Sequence, residues 1–484
     1  MFPTVRQRIR IQTLCVVGAT VSLLLWLHFI QKPVCTNTDN ISGQTVDHTH
    51  LPIDVLYTWV NGSDEVWLRA MRRYKKALLG KQVYSSNAGQ SRFHDNDELR
   101  YSLRSVFYFA PWIRHIYIVT CGHVPRWLDT SHPRIRVITH NQIFVNKSHL
   151  PTFSSPAIEA NFHNIPDISD HFLYLNDDFF LGRAVSPDDF VSNSGYKLYI
   201  GRPRDGTDED GANDGNEDGV KTIVLSGRYI EKDKYAQSLQ FVDRLYTSKW
   251  GKRARNNPPH MPHLINKTIL SHLHSTFPDQ FNKTSSNKFR AKDDMQFSFS
   301  YFHFLASSVD RIIISELLSQ VDTDQDGKLN EGEVELLLCK VLPLPVSQSE
   351  RDNFYSLLAG CPLIIAEIVQ CPQLLTMLHT ATNNLTVNTY QHQRIDVDNV
   401  HSGQLKGNST QVRGELDKIR KDIKKFISIN DDLKHDGRED TRRSLDAYAQ
   451  FKDTLFPFRS PFEHPPGKEN AFSYLFDYHH GGEM

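Results

Sequence analysis

The most self-contained motif in this sequence is the segment from Asp322 to Glu333, which has the spacing of a calcium-binding loop. Oxygen donors fall at loop positions 1, 3, 5, 9 and 12, and a glycine at position 6 permits the sharp turn that such a loop needs. The pattern, with apolar helices predicted on both sides, indicates an EF-hand over residues 305–345; a degenerate loop that binds no metal is the alternative. The expected Ca²⁺ ligands are Asp322, Asp324, Asp326, the backbone carbonyl of Lys328, Asn330 and Glu333.

A second candidate metal site is the pair Asp177 and Asp178, which directly follows the apolar run 172–175. Adjacent carboxylates can hold a hard divalent cation such as Mg²⁺ or Mn²⁺ against a diphosphate, and ligands of open α/β sheets bind beyond the carboxyl ends of strands. An Asp-Asp pair can equally well cap a following helix, so both interpretations stay open. The same pattern recurs at 430–432, after the apolar run 426–429.

Other polar residues suit acid-base or phosphate chemistry, but most of them have a simple structural alternative. Glu159 lies at a predicted helix start, where a surface acid interacts favourably with the helix dipole. His260 and His263 form a His-x-x-His pair, which without further ligands is not a zinc signature. Arg290 offers a fixed fork of donors that matches phosphate oxygens.

The elements that would position these residues alternate between strands and helices. This alternation is typical of an α/β layered domain with a largely parallel sheet. The acidic stretch 205–219 is predicted to be a loop that buries nothing, and the chain from 249 to 425 is predicted to be mainly helical. Strands are predicted at 53–60, 115–120, 135–139 and 172–175, and helices at 64–80, 96–110 and 235–248.

Length and composition describe a globular protein large enough for two or three domains. Of 484 residues, 39% are hydrophobic and 23% are charged, values that exclude a mostly disordered chain and a multi-span membrane protein. There are 55 Lys and Arg residues against 56 Asp and Glu, a net charge of −1, so no nucleic-acid partner is expected.

The N-terminal residues predict a membrane anchor that places the remaining chain in the lumen of the secretory pathway. Residues 1–12 contain three arginines and no acid, and the apolar stretch 13–30 follows, which indicates a cytosolic tail and a type II signal-anchor helix. A cleaved signal peptide is the alternative. Residues 31–50 are polar, as a stem would be.

Glycosylation sites and cysteines agree with a luminal location. Five cysteines follow the anchor; because five is odd, disulfide bonds are expected with at least one cysteine left over, for which Cys35 is the candidate. N-glycosylation sequons, expected in a glycoprotein, occur at Asn40, Asn61, Asn146, Asn266, Asn282, Asn384 and Asn408.

Several long segments, taken together, resemble the four conserved regions of the Stealth family. The resemblance covers most of residues 51–302 and 420–465. It implies an α/β, layered, sugar-nucleotide transferase-like catalytic domain with mainly helical additions and an EF-hand insertion. The segments are IDVLYTWVNGSD (53–64), NDELRYSLRSVFYFAPWIRHIYIVTCGHVPRWL (96–128), LPTFSSPAIEANFHNIPDISDHFLYLNDDFFLGRAVSPDDF (150–190), HMPHLI (260–265) with FRAKDDMQFSFSYF (289–302), and FISINDD with LFPFRSPFEH (426–464).

Within that family the chain is most similar to Golgi members, which implies a single-pass type II protein of the Golgi membrane with a luminal catalytic domain. The implied reaction moves GlcNAc-1-phosphate from UDP-GlcNAc to a mannose 6-hydroxyl of high-mannose N-glycans, giving the precursor of a mannose-6-phosphate tag, and releases UMP. A homodimer is expected. The alternatives are a metal-dependent glycosyltransferase that releases UDP and a non-catalytic luminal calcium-binding protein.

The resemblance assigns roles to the catalytic candidates at matching positions. Asp177 and Asp178 would hold Mg²⁺ or Mn²⁺ and orient the diphosphate. Arg290 would neutralise phosphate oxygens, and His260 would lie beside the transferred group. The carboxylates of Glu159 and Asp431 would complete the cluster, and the general base stays open between these two acids and His260.

Residues of the first conserved region are expected to meet the uridine. If Asn61 does so, its sequon should carry no glycan, because a glycan would block the pocket. The expected substrate-binding residues are Trp59, Asn61, Asp64 and His263.

The expected organisation is a catalytic core in three parts, at 51–204, 220–304 and, with the tail, 420–484. The EF-hand at 305–345 and a helical or irregular segment at 346–419 separate the last two parts. The acidic loop stands where other members carry long insertions, and no second apolar span is found. A compact member without a proteolytic processing spacer is therefore expected.

Overall fold

The computed structural model describes residues 51–79, 94–200, 234–311, 314–384, 386–433, 437–471 and 473–475. The predicted tail, anchor and stem (1–50) and the acidic loop (205–219) lie outside these residues. Within the described ranges, no helix has the length and apolar character needed to cross a bilayer. Two compact units are formed, a larger one within 44–308 and 390–484 and a smaller one that includes 309–389.

Strands and helices alternate along the first part of the chain. The strands are β1 (Ile53–Thr58), β2 (Ile116–Thr120), β3 (Ile135–Thr139), β4 (His171–Asn176), β5 (Phe179–Leu181), β6 (Val191–Ser192), β7 (Gly195–Tyr199), β8 (His263–Asn266), β9 (Val309–Arg311), β10 (Thr386–Asn388), β11 (His392–Ile395), β12 (Val400–Leu405) and β13 (Phe426–Asp431). The α-helices are α1 (Glu65–Leu79), α2 (Glu98–Phe109), α3 (His140–Ile143), α4 (Ser155–Glu159), α5 (Lys234–Trp250), α6 (Lys267–Thr276), α7 (Pro278–Ser286), α8 (Phe297–Ser307), α9 (Ile314–Val321), α10 (Glu331–Val341), α11 (Gln348–Leu358), α12 (Pro372–Asn384), α13 (Ser409–Lys421) and α14 (Glu439–Leu455).

The larger unit is built on a five-stranded sheet with the order β3-β2-β1-β4-β8. The first four of these strands run parallel, and β8 pairs antiparallel with β4. The α/β domain with a largely parallel sheet is therefore confirmed. Two smaller sheets of this unit have the orders β11-β7-β6 and β12-β13-β5.

The sheet is covered by a hydrophobic core on each face. Alternate residues of a strand point to opposite faces, so Val55 and Tyr57 of β1 enter one core and Leu56 enters the other. Helix α2 packs in the first core through Leu99, Leu103 and Val106, which have helical spacing and are buried. Buried residues of α5, α6 and α8 contribute to the second core.

Helices α6 to α13 agree with the prediction that residues 249–425 are mainly helical, but the short strands β8 to β12, which also lie there, were not predicted. Strand β8 has only four residues, and His263 and Asn266 stand at its ends, so no apolar alternation marks it. Strand β12 contains Gly403 and mostly polar residues. Pairing with neighbouring strands, rather than local sequence preference, fixes both.

One sequon lies in the folded interior. Asn266 is only 9% exposed. Its Oδ1 caps helix α6 by accepting a hydrogen bond from the backbone N–H of Ile269 over 3.0 Å. A glycan on Asn266 is incompatible with this arrangement. This sequon therefore gives no support to a luminal location.

The smaller unit is helical and has its own hydrophobic core. Helices α9 and α10 flank the loop 322–330, helices α11 and α12 pack beside them, and a disulfide bond joins Cys361 to Cys371. The unit extends to residue 389, beyond the range 305–345 predicted for an EF-hand. Cys339 is also disulfide-bonded, whereas Cys121 of the larger unit is a free thiol; Cys35 lies outside the described residues.

Candidate active site

Polar residues follow two neighbouring parallel strands of the central sheet. Thr58, the last residue of β1, is in register with Asn176, the last residue of β4. The strand order reverses between these strands, and ligands of α/β sheets bind at such a point, beyond the carboxyl ends. Asp177 and Asp178 connect β4 directly to β5, so the helix-capping alternative is wrong for this pair.

Asp178 and His260 lie next to each other at this edge. Oδ2 of Asp178 is 4.0 Å from Nδ1 of His260, and Nδ2 of Asn176 is 3.1 Å from the other ring nitrogen. Nδ2 of Asn430, near the end of β13, is 3.5 Å from Nδ1. Burial, with the charge of Arg290, lowers the pKa of His260 to about 4, so the imidazole is neutral at neutral pH.

Glu159 is connected to the same edge through a tyrosine. The Tyr174 hydroxyl lies 2.8 Å from Oε1 of Glu159 and 2.9 Å from Oδ1 of Asn176. Glu159 is only 9% exposed, so it is not the surface acid of the simple alternative. Burial raises the pKa of Glu159 to about 6 against the opposing effects of the Tyr174 hydrogen bond and the Arg290 charge. Arg290 itself donates a hydrogen bond to Oγ of Ser155 over 2.8 Å.

Two further acids near the pair were not among the predicted site residues, Asp95 and Glu98. Burial raises the pKa of Asp178 to about 8, and the charge of Glu98 adds to the effect. The pKa of Asp177 is raised well above its usual value by burial and by the charges of Asp178, Glu98 and Asp95. Burial and the Glu98 charge also raise the pKa of Asp95 to about 6. The only sequence signal of Glu98 was its place in the first turn of α2, where the helix dipole also favours acids.

Asp431 joins this cluster through Asn96. Nδ2 of Asn96 donates hydrogen bonds to Oδ2 of Asp431 and to Oε1 of Glu98, both over 2.9 Å. One side-chain amide thus connects the end of β13 to the start of α2. The structure therefore brings Asp177, Asp178, His260, Glu159, Arg290 and Asp431 to one edge of the larger unit.

The acids around Asp178 fit a divalent cation. Oδ1 of Asp178 is buried and has no hydrogen-bond partner among the described residues. Burial raises the pKa of Asp177 and Asp178, and the charges of neighbouring acids add to the effect, so a bound cation would offset an unfavourable concentration of carboxylates. Carboxylate oxygens are the ligands that Mg²⁺ and Mn²⁺ prefer. In the described part of the chain, however, these acids do not place three ligand atoms within 4.8 Å of one another.

The predicted uridine-binding residues differ in their surroundings. Nε1 of Trp59 donates to Oδ2 of Asp95 over 3.1 Å, which places Trp59 beside the acidic cluster. The backbone N–H of Asn61 donates to Nδ1 of His123 over 3.1 Å. Asp64 caps helix α1 by accepting from the backbone N–H of Trp67 over 2.7 Å.

His263 lies in strand β8 and is 5% exposed. Its ring packs edge-on against Phe302, with centroids 4.8 Å apart. Burial lowers the pKa of His263 to about 3, so the ring is neutral. The side chains of His263 and Asp64 thus both contact other residues of the protein.

The loop of the smaller unit brings together three of its predicted Ca²⁺ ligands. Ligand atoms of Asp322, Asp324 and Glu333 lie within 4.8 Å of one another. Gly327 adopts a φ of +77°, the left-handed conformation that position 6 of such a loop requires. Asp326 and Asn330 also form hydrogen bonds within the loop: Asp326 accepts from the backbone N–H of Lys328, and Asn330 from that of Glu333.

Sequence comparison identifies the chain through four segments. Models of Stealth conserved regions 1, 2, 3 and 4 match residues 51–79, 92–199, 259–307 and 417–474, together half of the chain. The chain belongs to the Stealth family. Conserved region 1 contains Trp59, region 2 the acids from Asp95 to Asp178, region 3 His260 and Arg290, and region 4 Asp431.

Curated relatives of this Stealth protein are named phosphotransferases. An exopolysaccharide phosphotransferase of Streptomyces coelicolor is 34% identical over 271 residues, which are 56% of this chain and 42% of the relative. The exopolysaccharide phosphotransferase CpsY of Mycobacterium tuberculosis is 32% identical, over 54% of this chain and 46% of the relative. The N-acetylglucosamine-1-phosphotransferase subunits alpha/beta of Homo sapiens are 30% identical, over 52% of this chain and 22% of the relative. The chain thus spans less than half the length of the relatives that it matches.

Proposed function

We propose that this protein transfers GlcNAc-1-phosphate from UDP-GlcNAc to the 6-hydroxyl of a mannose in high-mannose N-glycans. The acceptor oxygen forms a bond to the phosphorus that carries GlcNAc, the bond from that phosphorus to the UMP oxygen breaks, and UMP leaves. The observation that carries the proposal is the buried Oδ1 of Asp178, which has no hydrogen-bond partner in the described part of the chain and lies in a cluster of acids beside His260. Membership of a family whose relatives are named phosphotransferases supports the same reaction.

Asp177 and Asp178 would hold Mg²⁺ or Mn²⁺, which when bound neutralises diphosphate charge and assists departure of UMP. Among the residues that the structure describes, these acids do not place three ligand atoms within 4.8 Å of one another, and oxygens of the substrate diphosphate would complete the ligand set. The sugar nucleotide and the ion therefore bind together. Trp59, which donates a hydrogen bond to Asp95, would contact the nucleotide.

Arg290 and His260 bind the phosphate oxygens in this proposal. The charge of Arg290 affects the pKa of both His260 and Glu159, so its guanidinium is close enough to act on the same phosphate as they do. The low pKa of His260 keeps its ring neutral, and a neutral imidazole can donate one hydrogen bond without adding charge. Asn176 fixes the orientation of this ring.

Glu159 is the proposed general base among the three candidates. An efficient base has a pKa near the working pH, and the pKa of about 6 meets that condition. Tyr174 holds the carboxyl group in place. The pKa of His260, lowered to about 4 by burial, is further from that condition than the pKa of Glu159.

The proposal also includes the cellular location of the protein and a second metal ion, Ca²⁺. The predicted anchor at 13–30 would place the catalytic unit in the Golgi lumen as a single-pass type II protein, active as a homodimer. Ca²⁺ bound by Asp322, Asp324 and Glu333 would stabilise the smaller unit, because the three carboxylates repel one another without a cation. Both features can be tested apart from the reaction itself.

The test is product analysis with the purified full-length protein. UDP-GlcNAc labelled in its β-phosphate is incubated with methyl α-mannoside and Mn²⁺. We expect UMP release and label in a phosphodiester of the mannoside. Release of UDP with unlabelled product would instead identify a glycosyltransferase, and an absence of turnover would leave a binding protein.

Substitutions at the candidate active site, compared with the same substitutions at exposed positions, test whether the reaction takes place there. Asp178→Asn and Arg290→Met should each lower the rate by about 100-fold or more, because both remove charge that the transition state needs. Asp188→Asn and Arg126→Met replace exposed residues of the same types and should leave the rate unchanged. Equal rates for all four variants would contradict the proposed site.

A further inference from the structure

Lys452 is a buried cation in helix α14, and only 1% of the residue is exposed. A buried ammonium is costly unless charged and polar partners surround it. Its Nζ donates a hydrogen bond to the backbone carbonyl of Asn96. The same atom lies 4.2 Å from the ring centroid of Tyr448 and 5.2 Å from that of Tyr101.

The acids that face Lys452 belong mostly to the turn before helix α2. Glu98 has the largest electrostatic effect on the ammonium, followed by Asp97, Asp95 and Asp453. Glu98 is itself 4% exposed. Lys452 and Glu98 are therefore opposite charges within the same buried region, and each reduces the cost of burying the other.

The turn formed by residues 95–98 is held in an unusual conformation. Asp97 has a φ of +68°, in the left-handed region that non-glycine residues seldom adopt. Such a backbone persists only where its surroundings fix it. Here Oδ1 of Asp95 accepts from the backbone N–H of Asp97 over 2.8 Å, and Oε2 of Glu98 accepts from that of Asn96 over 2.6 Å.

Residues 95–98 also help to position Asp431 at the candidate active site, through Asn96. The Asn96 amide donates to both Glu98 and Asp431, so a shift of the turn would move Asp431 as well. The residue before Asp431, Asn430, approaches His260, and His260 approaches Asp178. A continuous set of contacts thus leads from Lys452 to the acids that would hold the metal.

We propose that Lys452 is a positioning residue for the transfer reaction: through the Asn96 carbonyl and the Glu98 charge, it holds the turn whose Asn96 amide binds Asp431 at the candidate active site. This inference rests on the proposed function. Lys452 touches no reacting atom in this arrangement. Its loss should therefore lower kcat while the KM for UDP-GlcNAc changes little, because small displacements of catalytic groups strongly slow chemistry.

The test compares Lys452→Met, Lys452→Gln and Lys452→Met/Glu98→Gln with the parent protein in the UMP-release assay, with thermal unfolding of each. We expect Lys452→Met to lower kcat by about ten-fold or more, with the KM within about two-fold of the parent value. Lys452→Gln keeps a donor for the Asn96 carbonyl but lacks the charge, so its kcat should stay closer to that of Lys452→Met than to the parent. Lys418→Met replaces an exposed lysine and is the control, with parent kcat expected.

Thermal unfolding separates positioning from simple loss of the fold. If Lys452→Met is unfolded, removal of the opposing charge in Lys452→Met/Glu98→Gln should restore folding, and failure to restore it would overturn the inference. A folded Lys452→Met with parent kcat would also overturn it. A parent protein that releases no UMP would instead refute the proposed function, and this inference with it.

Discussion

Arg104 donates two hydrogen bonds to Glu463, from Nε to Oε1 and from Nη2 to Oε2, each 2.8 Å long. Both residues are 7% exposed, and Nη1 of Arg104 also donates to the backbone carbonyl of Phe456. A bidentate pair of this kind fixes both distance and orientation. It connects helix α2, which starts at the acidic turn, to the segment that follows helix α14.

Arg104→Met should lower the free energy of unfolding by about 1.5–3 kcal/mol, because Glu463 would lose its bidentate partner and keep only the more distant Arg459 and Arg100, at 3.7 and 4.0 Å. Chemical denaturation by urea measures this change. Arg442→Met breaks an exposed pair with Glu439 and should leave the unfolding curve unchanged within error. Similar curves for both variants would show that the buried pair contributes little.

The stability of the metal-free protein should fall as pH rises from 6.5 to 8 and level off above pH 8. The pKa of Asp178 is raised from 3.8 to about 8 in the folded state, so between these pH values the folded protein holds a proton that the unfolded chain has lost, and stability falls until Asp178 ionises in both states. Each pH unit should cost roughly 1 kcal/mol for one such group. Buried histidines have lowered pKa values and do not titrate in this range.

Thermal unfolding in EDTA at several pH values measures this effect. Asp178→Asn should show a shallower decrease than the parent protein, since one ionising group is gone. Mn²⁺ should raise the unfolding temperature of the parent more at pH 8 than at pH 6.5, because protons then compete less for the carboxylates. A pH-independent effect of Mn²⁺ would argue against metal binding by these acids.

Glu159→Gln should lower kcat by about 10²–10⁴-fold if Glu159 is the general base. The parent pH profile should lose activity below a pKa of about 6, the value raised by burial of Glu159, and the variant should lack this acidic limb. Tyr174→Phe removes a hydrogen bond that lowers the Glu159 pKa, so its acidic limb should move to higher pH. An unchanged profile in both variants would assign the base to another residue.

Ca²⁺ should raise the unfolding temperature of the protein through the loop of the smaller unit. Glu333→Gln should abolish this increase, because it removes a charge from the group formed with Asp322 and Asp324. Glu331→Gln changes an exposed acid two residues away and should retain the increase. Calcium titration followed by calorimetry checks the same point, and equal binding by both variants would place the ion elsewhere.

Sequence patterns predicted the central sheet because β1 to β4 are apolar runs bounded by turn residues. They also located Asp177 and Asp178, since acids directly after such a run are visible locally. Glu98 was not identified as a site residue, because its burial depends on the packing of helices α2 and α14 rather than on its neighbours in sequence.

The burial of Lys452 was even less predictable from the sequence than that of Glu98. Lys452 lies in a helix whose other basic residues, Arg442 and Arg443, are exposed, and no spacing rule distinguishes it from them. Its partner Asn96 is 356 positions away. Contacts of this range are set by the tertiary fold, which also overrides the sequon at Asn266 and the weak strand preference of β12.

Strands β9 and β10 lie at the two ends of the smaller unit and pair with each other. The chain therefore enters and leaves this unit at adjacent points. In the larger unit, Tyr390 packs against Phe304, with ring centroids 6.2 Å apart, and so the flanking stretches of chain also adjoin. A unit inserted in this way can be deleted, and the two flanking ends of the chain can be joined by a short linker without changing the path of the remaining chain. The larger unit is thus a suitable starting point for a shortened protein in which the proposed reaction can be tested.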